Sequence, residues 1–244
     1  YGNSDSMILA SINSQTKTIY MTSFMRDLYA NIPNVGIRKL NSAYAVGGGP
    51  LLVSTIESNY RVDIDNYASV DFSSMANIID LVGGVDLEVS TQEAGYINMY
   101  LDEQCRLQGL NASDYYVAGG GITHLNGNQA VGFARIRYTS RGNEHSDYGR
   151  TSRQREILVQ LMQKARSLDA TTLLAVVNNM LPLITHNIDA ATLTTLIANA
   201  PSYINYDIQT DRIPYDGLYS NLGEELVPDF EATINRLHQT IYGN

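Results

Sequence analysis

The sequence predicts an α/β or α+β layered fold, and three observations predict it. Short runs rich in β-branched residues alternate with stretches that carry apolar residues at helical spacing. Glycine pairs and polar turns punctuate them. Apolar residues make up 44% and charged residues 17% of 244 residues, a balance that builds a packed core and argues against wholesale disorder. That length suits one large domain spanning residues 1–244.

Ser6 to Ile12 and Thr16 to Ser23 read as neighbouring strands, a hairpin across Asn13-Ser14-Gln15. Phe24 to Gly36 reads as a loop in which Pro33 and Asn34 mark a turn. Lys39 to Val46 reads as a short helix that ends at Gly47-Gly48-Gly49. Pro50 then opens a second helix through Leu51 to Tyr60. Tyr67 to Phe72 alternates as a strand does, and Ser73 to Val82 reads as a helix with a serine cap and a Gly83-Gly84 stop. Val85 to Val89 is another strand, Glu93 to Leu107 a helix, and Leu110 to Gly121 a loop. Leu125 to Ile136 opens with Asn126-Gly127-Asn128 and continues as a helix, and Tyr138 to Gly149 is polar and loop-like. Thr151 to Leu168 carries Ile157, Leu158, Leu161, Met162 and Ala165 on one stripe, an amphipathic helix. Ala170 to Leu183 and Ala190 to Ala200 are further helices, Gln209 to Tyr215 is a strand, and Pro228 to Tyr242 is a final helix with proline at its start.

Composition excludes several classes. Lys+Arg number 16 against 25 Asp+Glu, a net charge of −9, whereas a surface that grips nucleic acid needs a basic footprint. Cys105 is the one cysteine, so no intrachain disulfide forms. No apolar run approaches the roughly 18 to 20 residues of a spanning helix. No signal peptide is visible, and the first strand-like run begins at Met7, so the reading expects an anchor or strand upstream.

The positive charge is unevenly placed. Six of the 16 basic residues are arginines between Arg135 and Arg155: Arg135, Arg137, Arg141, Arg150, Arg153 and Arg155. Arg135 and Arg137 point the same way if the chain there is extended, and not on a regular helix. Arg150, Arg153 and Gln154 share one face around a helix start, where backbone N–H groups and the helix dipole favour an anion. Guanidinium forks bind phosphate and carboxylate bidentately. Two readings stay open from the residues alone. One is a polyanion site that also uses Arg26-Asp27 and Arg38-Lys39, which follow strand-like segments. The other is a solvated surface in which the arginines pair with Glu144, Asp147 and Glu156. The four histidines show no metal-ligand spacing, and His145 is the one placed by sequence to tune Asp147.

Taken together, the motifs resemble the LytR-CpsA-Psr family. They run in order as Ser4-Asp5-Ser6-Met7, Ser23-Phe24-Met25-Arg26-Asp27, Ile32-Pro33, and Lys39-Leu40-Asn41-Ser42-Ala43-Tyr44 with Gly47-Gly48. Then come Asp80-Leu81-Val82-Gly83-Gly84-Val85, Leu125-Asn126-Gly127-Asn128-Gln129-Ala130, Arg135-Ile136-Arg137-Tyr138 and Asp147-Tyr148-Gly149-Arg150-Thr151-Ser152-Arg153-Gln154. The resemblance covers nearly the whole chain.

It implies a central mixed β-sheet flanked by helices, with a hydrophobic channel for a lipid. The implied activity is transfer of a phosphate-linked glycopolymer (teichoic acid, capsule or another wall glycan) from a polyprenyl-pyrophosphate carrier to a peptidoglycan hydroxyl. The implied location is the extracellular face of the bacterial cytoplasmic membrane, held by an N-terminal transmembrane anchor. Arg26, Lys39, Arg135, Arg137, Arg150 and Gln154 match the family's pyrophosphate ligands. Met25 stands where the family has proline. Asp5 matches a carboxylate that helps hold Mg²⁺ or Mn²⁺, whose second acidic partner in the family lies upstream of this chain. Asp147 matches the residue proposed to take the acceptor proton, with Arg26 and Arg137 stabilising the reacting phosphate. A lipid-binding regulatory module and a pyrophosphate hydrolase would use the same pocket. The joint presence of Asp5, Asp147 and the cations favours the transferase.

Overall fold

The run Thr18–Phe24 is apolar or β-branched at nearly every position, and it forms a strand buried on both faces. The structure, a computed structural model, describes residues 2–141 and 146–243. In chain order, β1 (Met7–Asn13), β2 (Thr18–Phe24), β3 (Tyr29–Ile32) and β4 (Gly36–Lys39) precede α1 (Ser42–Tyr60). Next come β5 (Ala68–Ser69), α2 (Phe72–Leu81), β6 (Val85–Val89), α3 (Thr91–Gln108), β7 (Gly121–Leu125) and α4 (Gly127–Ala134). They are followed by α5 (Ser146–Arg166), α6 (Ala170–Met180), β8 (Thr185–His186) and α7 (Ala190–Tyr203). The chain closes with β9 (Asp207–Ile213), β10 (Tyr219–Leu222), β11 (Glu225–Pro228) and α8 (Phe230–Tyr242). Contacts divide it into two units, one of Tyr1–Ser69 with His186–Asn244, the other Val70–Thr185.

The first unit holds a mixed sheet of order β1-β2-β9. β1 runs antiparallel to β2, with Met7 opposite Phe24 and Asn13 opposite Thr18. On its other edge β2 runs parallel to β9, with Thr18 opposite Asp207 and Phe24 opposite Ile213. The turn between β1 and β2 closes on Asn13, whose Oδ1 accepts from the amides of Gln15 and Thr16 at 3.0 Å each. Behind the sheet, the Tyr60 ring at the end of α1 meets Phe24 at 5.0 Å and Phe230 of α8 at 5.8 Å between centroids. Asp229 caps α8 by accepting from the Ala232 amide at 3.1 Å, and Ile234, Leu237 and Ile241 form its buried stripe.

Two hairpins escape the sequence reading. The stretch expected as a loop from Phe24 contains β3, which pairs with β4 around the Pro33-Asn34 turn. β10 and β11 form the other. Four-residue strands are too short for alternation to register. The two helices expected around Gly47–Gly49 form one element, α1, whose backbone is non-helical at Gly47 and Gly48. Gly48 has φ of +64°, which glycine adopts at no steric cost, and Pro50 sits in the first turn beyond that kink.

In the second unit β6 and β7 form an antiparallel pair, Val85 opposite Leu125 and Val89 opposite Gly121. β7 was not expected from the sequence. Ile79, Val85, Leu87, Ile97, Leu101, Phe133 and Ile157 build the core that joins this pair to α2, α3, α4 and α5. The cap of α2 is Asp71, accepting from the Ser74 amide at 2.7 Å, in place of the expected serine. Capping boxes start α3 (Ser90 with Glu93) and α4 (Asn126 with Gln129). α5 begins at Ser146 and not at Thr151, so the polar segment read as a loop runs into helix. Among the described residues, no helix is long and apolar enough to cross a membrane.

Gly127 is where α4 meets α2: a Cβ there would run into the Ala76 carbonyl. Backbone cannot yield as a side chain does. Gly127→Ala is therefore expected to lower stability by about 2 to 3 kcal/mol, the upper part of the overpacking range, read as a shift in the urea midpoint. An unchanged midpoint would show that α2 moves aside at little cost.

Candidate active site

The functional residues expected from the sequence fall into two groups, one in each unit. In the first unit they sit just past the carboxyl end of β2, where open sheets place ligands. Backbone bonds hold this corner: Ser4 donates to the Asn41 carbonyl at 3.4 Å, and Asn41 to the Arg26 carbonyl at 3.3 Å. The Arg26 guanidinium lies 3.8 Å from Asp5 Oδ1 and 3.4 Å from Asp27 Oδ2. Lys39 Nζ reaches Asp27 Oδ1 at 3.0 Å and Glu224 at 3.3 Å. Asp27 thus bridges the two cations and sets where their heads stand. The Asp27 hydrogen bond raises the Lys39 ammonium above its ordinary value, against the opposing effect of burial, and Glu224 adds to the rise.

In the second unit α4 ends at Ala134, with Arg135 as its C-cap in helical backbone geometry and Arg137 just beyond it. The Arg135 guanidinium stacks on two rings, Tyr100 at 4.5 Å and Phe72 at 5.0 Å. Stacking engages the faces of the guanidinium and leaves its N–H edge for other partners. Asp147, in the first turn of α5, receives two arginines: Arg150 Nη2 at 3.3 Å and Arg137 Nε at 3.6 Å. Arg150 is almost fully buried, while Arg137 is 39% exposed at its side chain. Gln154 is half-buried on the same helix, at i+4 from Arg150. This brings Asp147, Arg137 and Arg150 together in one site.

Arg153 has a role the sequence does not reveal. Its side chain is fully buried. Its Nε donates to Glu93 Oε1 at 2.9 Å, Nη1 to the Ile136 carbonyl at 3.2 Å, and Nη2 to the carbonyls of Thr139 and Ser140 at 3.2 and 3.0 Å. It therefore clamps the backbone on both sides of Arg137. Glu93 also accepts from the Ser90 amide and hydroxyl at 2.9 Å and from Arg141 at 3.3 Å. Burial alone would raise the Glu93 carboxyl, but the Ser90 amide, Arg153, the Ser90 hydroxyl and Arg141 outweigh it and hold the carboxyl below its usual range. Arg141 in turn binds Glu156 through Nε at 2.9 Å and Nη2 at 2.5 Å. The pairing reading thus holds for Arg141 with Glu156 and for Arg137 and Arg150 with Asp147, although Arg150 is buried, and it fails for Arg153, which is interior.

His145 and Glu144 lie outside the described residues. His124 belongs to a surface network, 2.8 Å from Asp86, which also meets Lys164. Cys105 is buried and unpaired with another cysteine. For a divalent cation, no group of three or more His, Cys, Asp or Glu side chains is gathered among the described residues. Asp5 offers a single, partly exposed carboxylate. That fits Mg²⁺ in the mode where one or two carboxylates and substrate phosphates share the ion.

Comparison with known proteins shows which family the chain resembles in sequence and fold. The model of the LytR_cpsA_psr family matches residues 1–237. A polyisoprenyl-teichoic acid–peptidoglycan teichoic acid transferase TagU of Oceanobacillus iheyensis is 33% identical over 255 aligned positions, covering 100% of this chain and 71% of that protein. The TagU of Enterococcus faecalis is 31% identical, covering 73% of this chain, and the match spans about half of that relative's length, 54%. Among solved structures, YwtF (TagT) with bound octaprenyl pyrophosphate lipid superposes with a TM-score of 0.70 at 21% identity, covering 100% of this chain and 86% of that one.

Proposed function

The chain belongs to the LytR-CpsA-Psr family, and from that premise we propose that it transfers a phosphate-linked glycopolymer from a polyprenyl-pyrophosphate carrier to a peptidoglycan hydroxyl in the bacterial cell envelope. One observation carries the reading: the Asp147 carboxylate held within 4 Å of two guanidiniums, Arg150 and Arg137. A carboxylate and cations on the same few atoms are what phosphoryl transfer to an alcohol needs. The relatives named as teichoic acid transferases support the substrate class.

In the proposed reaction the acceptor hydroxyl oxygen attacks the phosphorus that bears the glycopolymer. A new P–O bond forms to the acceptor, the P–O bond to the bridging oxygen breaks, and polyprenyl phosphate leaves with that electron pair. Asp147 accepts the hydroxyl proton. Arg137 and Arg150 offset charge on the non-bridging oxygens, and Arg26 and Lys39 in the first unit are phosphate ligands, as are Arg135 and Gln154 in the second. Asp27, by holding Arg26 and Lys39, sets their positions. Asp5 is the residue that would hold Mg²⁺, which when bound neutralises phosphate charge. The proposed location is the outer face of the cytoplasmic membrane.

The test incubates the chain with a polyprenyl-pyrophosphate-linked glycan, peptidoglycan and Mg²⁺. Polymer attached to peptidoglycan, with polyprenyl phosphate released in equal amount, is the expected result. Tight lipid binding without turnover would make the protein a lipid-binding module, and release of free polymer would make it a hydrolase.

A further inference from the structure

Lys39 meets two carboxylates that are held in different ways. Its Nζ lies 3.0 Å from Asp27 Oδ1 and 3.3 Å from Glu224 Oε2. The Asp27 side chain is mostly buried and also meets Arg26 at 3.4 Å, so two cations fix it. The Glu224 side chain is 92% exposed. Glu224 nonetheless stands there by construction. Leu222 and Glu225 pair across the β10–β11 hairpin, which leaves Gly223 and Glu224 as a two-residue turn. Gly223 has φ of +62°, which such a turn asks of its first residue. The hairpin is docked on the segment that carries Arg26 and Asp27. The Leu226 amide donates to the Asp27 carbonyl at 2.9 Å, and Leu226 forms a parallel bridge with Leu28. At the base of the hairpin the Asp229 amide donates to the Leu218 carbonyl at 2.8 Å. The backbone of the tip is therefore fixed beside Lys39, while the glutamate side chain can turn into water.

The charges in this corner work against an anion as they stand. Two cations, Arg26 and Lys39, are in contact with three carboxylates, Asp5, Asp27 and Glu224, so these five groups are net negative. With Glu224 turned away they balance, and an N–H of the Lys39 ammonium is released. Asp27 is unsuited to that movement, because its departure would take a carboxylate from both cations. Glu224 leaves at little cost, since an exposed glutamate–lysine pair contributes little.

We propose that Glu224 is an autoinhibitory stand-in: its carboxylate occupies Lys39 in the unliganded protein and gives up that ammonium to a phosphate group of the ligand. The proposal rests on the reading of Lys39 as a phosphate ligand, and it adds the residue that sets affinity at that position. A small carboxylate anion exchanges like for like on Lys39 and gains nothing by displacing Glu224. A diphosphate replaces Glu224 and engages Arg26 as well, so the contact selects diphosphates over small singly charged anions.

The experiment titrates inorganic pyrophosphate into the protein calorimetrically, without divalent cations and at low, fixed ionic strength. Glu224→Gln lies on an exposed turn and keeps the fold. It is expected to tighten binding about two- to fivefold, the scale of an exposed ion pair. Lys39→Ala is expected to weaken binding. In that background Glu224→Gln is expected to change affinity by less than about 1.5-fold, because Glu224 acts through Lys39. Equal or weaker binding by Glu224→Gln overturns the proposal while Lys39→Ala still weakens binding, and the reading of Lys39 then stands. The same tightening with and without Lys39 also overturns it, since that is an effect of net charge alone. Lys39→Ala that binds as tightly as the unmodified protein, or no binding by the unmodified protein and Glu224→Gln alike, defeats the reading of Lys39 and the proposal with it.

Discussion

Arg153→Ala is expected to destabilise the Val70–Thr185 unit by about 3 kcal/mol or more, seen as a lower urea midpoint for that unit. The substitution removes four hydrogen bonds at once. It strands Glu93, whose side chain is almost entirely buried, and leaves the carbonyls of Ile136, Thr139 and Ser140 without this donor. Breaking one side of a buried ion pair costs more than the pair itself contributes, because the remaining charge keeps its desolvation penalty. Arg141, 3.3 Å from Glu93, limits the loss and sets the estimate at the lower end of the range for such pairs. Adding Glu93→Gln to Arg153→Ala is expected to restore part of the midpoint, since it removes the stranded charge. A midpoint unmoved by Arg153→Ala would show that the clamp is not holding this region. Arg153→Lys keeps the charge but not the fork. It is expected to lower kcat more than it lowers stability, because the backbone carrying Arg137 loses its bidentate ties.

The second large effect is on turnover. Arg137→Ala is expected to reduce kcat by about 10²-fold, the usual loss when one preorganised charge-stabilising donor is removed. The side chain is exposed enough for the fold to survive the change, and Arg150 still meets Asp147. Binding of the polyprenyl-pyrophosphate substrate is expected to fall less than turnover, because the charge it offsets is greatest in the transition state. Normal turnover together with normal lipid binding would remove Arg137 from the reaction.

Much of this was legible in the chain. Long periodic segments such as Thr151–Leu168 were found because a helix repeats its apolar stripe several times over. β1 and β2 were found because β-branched residues and a polar break act together. The short hairpins at β3/β4 and β10/β11 offer no such repetition, and β7 is disguised by its flanking glycine and histidine. At the site, Arg137 and Arg150 stand out in the sequence as members of an arginine cluster, whereas the role of Asp147 comes from the family resemblance alone. Arg153 was visible only as one more arginine of a cluster. Its meaning depends on Glu93, sixty residues away, and Glu93 by itself reads as a capping-box residue. Glu224 is similar: its seat on Lys39 follows from the placement of a distant hairpin and from nothing local.

β2 gains its second neighbour from the far end of the chain, residues 18–24 lying alongside residues 207–213. During synthesis that edge stays open until residues 207–213 have emerged, whereas Val70–Thr185 is contiguous and complete before them. Until then the nascent chain carries an unpaired, largely apolar strand border, the kind of border that other chains adhere to. Assembly of the mixed sheet is a long-range closure, the kind of contact that folds slowly.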